Sequence, residues 1–366
     1  MAYRQTTVNA TGWRGAVKRW RRSNRARLNR LLTRLRGTTA PRRAPLDADT
    51  RRILVVRLNK RLGNILFLTP MLRTLAATFP TATIDVLIRD QRQRRLLESL
   101  PGIGRVWVQQ RRIAGVIGLI RRLRAARYDL AIDPSGNSTS NRLALVLSNA
   151  RQRMGFAGNS QWLRLSHAGG RTRSRHQAEQ AVELLVDSVD GTAFECFDTL
   201  AVFPDARAQA AARQHWPSAL SHSSAPVIGL FTQATGYKQL PRAWWLEWLE
   251  HAAARNPRAQ FIQICPPGQA GDALPGTIGV AIAELDVLAA LMTRFNGFVA
   301  ADSGPMHLAA AAGVPVLGLF RATDPAAYAP LGHACRTLSG TDLQPVEAAR
   351  LISGMLATEP HQQGAA

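Results

Sequence analysis

The sequence predicts an α/β protein built from two doubly wound, Rossmann-like domains that face a cleft. Short apolar runs alternate with amphipathic helical stretches from Ile53 onward. A polar, Ser/Ala/His-rich interval from Asp205 to Pro226 interrupts that alternation, and the same pattern then restarts. Continuous apolar strands joined by helices point to parallel sheets covered on both faces. Ligands of such sheets bind outside the carboxyl ends of the strands. The length of 366 residues accommodates two domains of this kind.

In chain order, Ile53–Leu58 reads as a strand, Asn59–Asn64 as a turn and Ile65 to about Thr78 as a helix. Strands follow at Ile84–Ile88, Arg105–Gln109 and Asp129–Asp133, with helices at Arg111–Ala126 and Thr139–Asn149. Arg151 to His176 is irregular and reads as loop; a helix over Ala178–Val189 and an extended piece over Thr199–Pro204 close the first half. The second half reads as strands at Val227–Thr232, Phe261–Cys265, Ile278–Ile282, Gly297–Asp302 and Val314–Phe320. Its helices fall at Arg242–Ala254, Asp286–Thr293 and Met306–Ala312, and a last amphipathic helix at Pro345–Leu356 precedes a disordered tail. The domain reading is therefore a basic arm and linker over 1–52, a first domain over 53–205, a connection over 206–226, a second domain over 227–340 and a C-terminal helix and tail over 341–366.

Charge is concentrated at one end. Residues 1–52 hold 15 Lys/Arg against Asp47 and Asp49, which places +13 of the net +23 in that segment. Between Thr11 and Arg36, Trp13, Val17, Trp20, Leu28, Leu31, Leu32 and Leu35 fall on one helical stripe at about 100° per residue, interrupted by Asn24. Lys18, Arg19, Arg22, Arg25, Arg30, Arg34 and Arg36 cover much of the other faces. A cationic amphipathic helix with two tryptophans suits an anionic membrane surface, so residues 11–36 are expected to bind one. The same charge attracts phosphate backbones, but no zinc-finger or RNA-recognition signature accompanies it, and nucleic acid is not the expected partner. Cys196, Cys265 and Cys335 are odd in number and lack CxxC spacing, which excludes a disulfide framework and fits a reducing compartment. No apolar run reaches the roughly 18 residues of a membrane span, and the N-terminus lacks an apolar core followed by a small-residue cleavage site, so a secretory signal is not expected. The expected location is cytoplasmic.

Four strand ends carry candidate chemistry. At Asp302-Ser303-Gly304-Pro305-Met306-His307 a buried-type strand turns into a small-residue helix. Ser303 can cap that helix, Gly304 lets a ligand approach the backbone and Pro305 suits the first helical turn. Free N–H groups and the helix dipole there favour a pyrophosphate. Asp302 suits sugar or ribose hydroxyls, and His307 can donate to a phosphate oxygen. Alone, the stretch also reads as an ordinary capped helix start. After the strand at Val227, Thr232 and Thr235 offer hydroxyls and Lys238 can neutralise a leaving diphosphate. Arg57 to Asn64 forms a Gly turn that is not GxGxxG, and Asp133-Pro134-Ser135-Gly136-Asn137 ends another strand.

In this order, the stretches resemble glycosyltransferase family 9, whose best-known members are lipopolysaccharide heptosyltransferases. The resemblance runs from about Ile53 to Gly340 and is most specific over Phe298–Pro325, which is similar to the family's "FIGNDSGPMHLAAALGTPVVALFGPTDP". Tyr128–Asn137 with Arg153-Met154-Gly155-Phe156 resembles its "YDLVIDLQGN … RRIGF" region, and Lys238 occupies the position of its lysine. The resemblance implies a GT-B fold and an inverting mechanism with no metal and no cofactor beyond the nucleotide-sugar substrate. An ADP-heptose-like donor would sit on the second domain, held by Thr232, Thr235, Lys238, Asp302, Ser303, Gly304 and His307. A lipid-linked glycan acceptor, of the lipopolysaccharide-core type or another surface glycan, would sit on the first, at the cytoplasmic face of the inner membrane. Arg57, Lys60, Arg61 and Gly63 would meet that acceptor.

One departure concerns the base. The family's turn reads R-x-S-S-L-G-D, whose aspartate is taken to deprotonate the acceptor hydroxyl; here Asn64 stands at that position and the turn is one residue longer. An amide is no useful base near neutral pH. Asp133 is a candidate substitute by its strand-end position, with Asp90 after it. Asn64 also leaves open a catalytically silent protein that keeps the fold and binds nucleotide-sugar or lipid. Asp47-Ala48-Asp49 matches the metal-binding DxD pattern of another glycosyltransferase fold, but it precedes the first strand and reads as coincidence.

Overall fold

A computed structural model of the chain describes residues 43–47, 49–110, 112–136, 138–157, 165–170, 172–221 and 223–358. The amphipathic arm expected over 11–36 and the tail beyond 358 lie outside these residues.

The first domain is a six-stranded parallel sheet of β1 (Arg52–Arg57), β2 (Thr83–Ile88), β3 (Ile103–Val108), β4 (Leu130–Asp133), β5 (Gln152–Phe156) and β6 (His167–Gly169). Its spatial order is β3-β2-β1-β4-β5-β6. Ile53, Leu54, Val55 and Val56 of the central β1 are fully buried, as a strand covered on both faces requires. The second domain repeats the plan with β7 (Val227–Phe231), β8 (Gln260–Cys265), β9 (Ile278–Ala281), β10 (Gly297–Ala301), β11 (Val316–Phe320) and β12 (Arg336–Ser339), ordered β9-β8-β7-β10-β11-β12. All pairings in both sheets are parallel. In each sheet the order reverses beside the first strand, between β1 and β4 and between β7 and β10, which makes a crevice at the carboxyl ends there. The two Rossmann-like domains expected from the sequence are therefore present.

Helices cover both faces: α1 (Leu62–Leu66), α2 (Thr69–Thr78), α3 (Arg94–Glu98), α4 (Ile113–Ala125), α5 (Thr139–Ser148) and α6 (Gln177–Ser188) in the first half. The second half has α7 (Ala206–His215), α8 (Arg242–Arg255), α9 (Leu285–Met292), α10 (Gly304–Ala311), α11 (Pro325–Tyr328) and α12 (Pro345–Thr358). The helix expected from Ile65 to Thr78 is two, because Pro70 sits in the first turn of α2 and starts it afresh. The irregular stretch Arg151–His176 holds β5 and β6, whose Arg, Gln and His content hides them; pairing of β5 onto β4 and of β6 onto β5 decides them. Within the expected connection, α7 is started by Asp205, whose carboxylate accepts from Ala208 N at 2.7 Å, and it packs on α9. The extended piece before it bridges the halves: Ala201 N donates to Thr69 Oγ1 and Val202 N to Ala311 O.

Each sheet has an apolar layer on either face, and one of these layers joins the domains. Leu66 and Phe67 of the first domain share a core with Met306, Leu308 and Phe298 of the second. No helix among the described residues is long and apolar enough to cross a membrane.

Candidate active site

The strand ends of both sheets meet across a cleft of about 560 Å³. The turn after β1 brings Lys60, Arg61, Gly63 and Asn64 to one wall, and the loop after β2 adds Asp90, Arg92 and Gln93. Opposite them stand Thr235 and Lys238 from the loop after β7, the β10–α10 turn with Asp302, Ser303, Gly304 and His307, and Thr323 after β11.

Asp302 is the electrostatic centre of that wall. Lys238 Nζ donates to its Oδ2 at 2.5 Å, Thr323 Oγ1 donates to the same oxygen at 2.7 Å, and His307 Nε2 stands 3.7 Å from Oδ1. Burial alone would raise the Asp302 carboxyl; the His307 ring, Lys238 and Thr323 outweigh it and hold the pKa at about 2. The carboxylate is thus ionised at neutral pH and fixes the lysine's position. The lysine's loop is tied by Gln239, which the sequence does not single out: its Oε1 accepts from Ala234 N at 2.5 Å and its Nε2 donates to Thr232 O at 3.0 Å.

The α10 turn differs from expectation in one atom. Ser303 occupies the cap position with extended backbone, yet its side chain makes no capping bond, and its buried Oγ has no partner. Pro305 does stand in the first turn. The N–H groups of that turn have no acceptor within the helix, so free donors and an unused hydroxyl gather beside Lys238. Among the described groups this is the place best suited to a phosphate oxygen.

His307 is 3% exposed, and burial lowers its pKa, so the ring is neutral at physiological pH. Its Nδ1 is buried without a partner. The ring lies edge-on to Phe67 at 4.6 Å and close against Gly63, where a Cβ would stand 2.7 Å from Cδ2. Glycine at 63 is what lets α1 seat on α10, and Gly304 meets Leu62 in the same seam, where its own Cβ would stand at 3.0 Å. The histidine expected to reach a phosphate is thus also a wedge at the domain junction.

Three expected site residues lie away from the cleft lining. Thr232 uses its hydroxyl to accept from Gln263 Nε2 at 3.3 Å. Arg57 is buried, its guanidinium drawn below its ordinary pKa by that burial. Asp133 is fully buried: Ser135 N, Ser135 Oγ and Asn141 Nδ2 donate to Oδ1 at 3.0, 2.5 and 2.9 Å, while Oδ2 stands 3.1 Å from Arg142 Nε and accepts no hydrogen bond. With no exposed surface, it does not line the cleft. Asn141 also bonds Val56 O and Leu58 N, so this cluster braces the end of β1. The carboxylates among the described cleft-lining residues are Asp302 and Asp90. Asp90 is held by Arg92, whose Nε and Nη2 donate at 3.2 and 2.7 Å; these bonds keep its pKa below the ordinary carboxylate range. Thr323, which the sequence does not single out, stands three residues after β11 on the cleft side, a strand-end position of the same kind as Lys238.

A sequence model described as glycosyltransferase family 9 (heptosyltransferase) matches residues 116–350. Among solved structures, the chain is similar to a glycosyl transferase family 9 protein from Veillonella parvula DSM 2008, with a TM-score of 0.73 and 21% identity over 87% of this chain and 100% of that one. It is similar to the E. coli ADP-heptose lps heptosyltransferase II, at a TM-score of 0.65 and 20% identity over 84% of this chain and 99% of that one. An E. coli heptosyltransferase solved with ADP gives a TM-score of 0.64 and 17% identity, with coverage of 84% and 99%. At these identities the likeness is one of fold, and that fold is GT-B. No curated protein matches the chain.

Proposed function

Because the chain belongs to glycosyltransferase family 9 (heptosyltransferase), we propose that it moves a heptose-type sugar from an ADP-linked donor onto a lipid-linked glycan, by an inverting displacement that uses no metal. The observation that carries this reading is the Lys238–Asp302 pair beside the free first turn of α10 and the unpartnered Ser303 hydroxyl. A similar E. coli heptosyltransferase holds ADP, which supports a nucleoside diphosphate as the leaving group.

In this mechanism the acceptor hydroxyl oxygen attacks the anomeric carbon from the first-domain side. The bond from that carbon to the diphosphate oxygen breaks, and its electron pair leaves with the diphosphate. Lys238, the Ser303 hydroxyl and the first-turn amides of α10 meet the charge that develops there. Asp302 orients the lysine and the donor, while Lys60 and Arg61 stand where acceptor phosphates would pass. Asn64 cannot take the acceptor proton, and Asp133 is fully buried away from the cleft lining. We assign the proton to Asp90, the carboxylate on the acceptor wall, which Arg92 keeps ionised. The acceptor would be met at the cytoplasmic face of the inner membrane, with the basic segment 11–36 as an anchor.

The test is turnover with ADP-heptose and a core-type acceptor, read as ADP release and product mass. Lys238→Ala lowers kcat by about 100-fold or more, and Asp90→Asn lowers it by about 100-fold with donor affinity unchanged. Unchanged turnover in Asp90→Asn would remove the base assignment alone; unchanged turnover in Lys238→Ala and Asp302→Ala together would remove the donor site. Asn64 motivates a second reading, a silent binding protein. Calorimetric binding of ADP without transfer across a panel of donors would favour it.

A further inference from the structure

The crossover helix α4 presents a surface that the transfer reaction does not use. Its first eight residues, Ile113 to Ile120, contain no polar side chain, although the helix lies on the outside of the first domain. Leu119 and Leu123 turn into the core, whereas Ile113 and Ile117, one turn apart, are 80% and 47% exposed. Gly118 faces open space on the same solvent side, where a Cβ would touch nothing. A surface helix normally carries its polar residues there. Here the polar residues come only in the last turns, and all are arginine: Arg121, Arg122 and Arg124.

Charge along this stretch has one sign. From Ser99 to Tyr128 the chain carries seven arginines and no acidic residue. A protein partner with an ordinary apolar patch would not need that excess; an anionic lipid surface would, with apolar side chains entering the acyl boundary and guanidinium groups at the phosphates. Topology adds a second argument. α4 leaves the carboxyl end of β3, so Ile113 sits at the same end of the sheet as the cleft turns after β1 and β2. A bilayer met by Ile113 would lie beside the acceptor wall.

We propose that the exposed face of α4, led by Ile113 and Ile117 and followed by Arg121 and Arg124, docks the first domain on an anionic lipid bilayer. The contact is separate from the arm at residues 11–36. It goes beyond the transfer reaction, and its test uses no turnover, so failure of either idea leaves the other standing.

The experiment uses the full chain with phosphatidylglycerol-containing and pure phosphatidylcholine vesicles. A photoreactive phosphatidylglycerol analogue should label the peptide containing residues 113–121, whatever the arm contributes. Ile113→Ser/Ile117→Ser should lower partition onto anionic vesicles about tenfold. Arg121→Gln should lower it roughly fivefold. All the altered side chains are exposed, so thermal melting should stay at the parent value. Labelling confined to peptides outside α4 would overturn the proposal, as would unchanged partition in both variants. A change in oligomeric state of the isoleucine variant with unchanged partition would assign the face to protein contact instead.

Discussion

Asp302 Oδ2 accepts from Lys238 and Thr323 at once, on a side chain that is itself buried. Because its folded pKa of about 2 lies below the ordinary value of 3.8, the carboxylate contributes stability above that ordinary value and loses it as pH falls through the folded one. The difference corresponds to about 2 kcal/mol. Urea melts of the parent and Asp302→Asn should therefore differ by a constant amount above about pH 5, and that gap should shrink by about 2 kcal/mol between about pH 4 and 2. A gap independent of pH would mean that the Lys238 pair adds nothing to the fold. His307 has the opposite logic: burial disfavours its charged form, so it enters the reaction cycle as a neutral ring that packs and orients.

At the scale of elements, α1 and α10 meet through two glycines, each facing a side chain of the other domain. A methyl group at 63 would have to displace a ring that Phe67 backs at 4.6 Å, so the ring has little room to yield. Gly63→Ala should cost about 1–3 kcal/mol and lower kcat along with it, because His307 and Asp302 share one turn. Gly118→Ala is the control: its Cβ meets nothing, and a helical alanine should stabilise by up to about 1 kcal/mol. Chemical denaturation of the two variants, with turnover measured in parallel, checks the contrast. Equal behaviour would mean that the seam is looser than its geometry.

For the whole molecule, the seam matters because a two-domain chain otherwise unfolds in parts. Phe67, 2% exposed, is flanked edge-on by His176 at 5.3 Å and by His307, and it lies in the core cluster that holds Met306 and Phe298. Asp286 of the second domain adds an ion pair to Arg95 of the first at 3.7 Å, but that arginine is half exposed and contributes little. The apolar seam should therefore couple the domains. Calorimetry of the parent should give one transition, and Phe67→Ala, at a cost of about 3–5 kcal/mol, should split it into two. A single transition at the parent temperature in the variant would refute that coupling.

Much of this architecture was legible along the chain because burial leaves a local record. Strands covered on both faces, such as Ile53–Val56 and Phe298–Ala301, must be continuously apolar, so their composition alone announces them. The edge strand Arg336–Ser339 buries only Leu338, and β5 mixes Gln and Arg with Met; their status depends on a neighbour's backbone and leaves little trace in composition. The strand-end rule likewise placed Asp302, Lys238, Gly63 and Asn64 on the cleft side, but it could not tell which strand-end side chain faces the ligand. Asp133 stands at such an end and is enclosed by Arg142, Ser135 and Asn141, while Asp90, two residues past β2, faces the cleft. By itself, then, the sequence determined the two-sheet plan and the turns at which ligands can sit, since both follow from periodicity and local backbone chemistry. Only the tertiary structure decided that Lys238 and Thr323 converge on Asp302, that Gly63 carries the His307 ring, and which carboxylates line the cleft, because residues far apart in the chain are brought together by sheet register and domain docking, which no local pattern encodes.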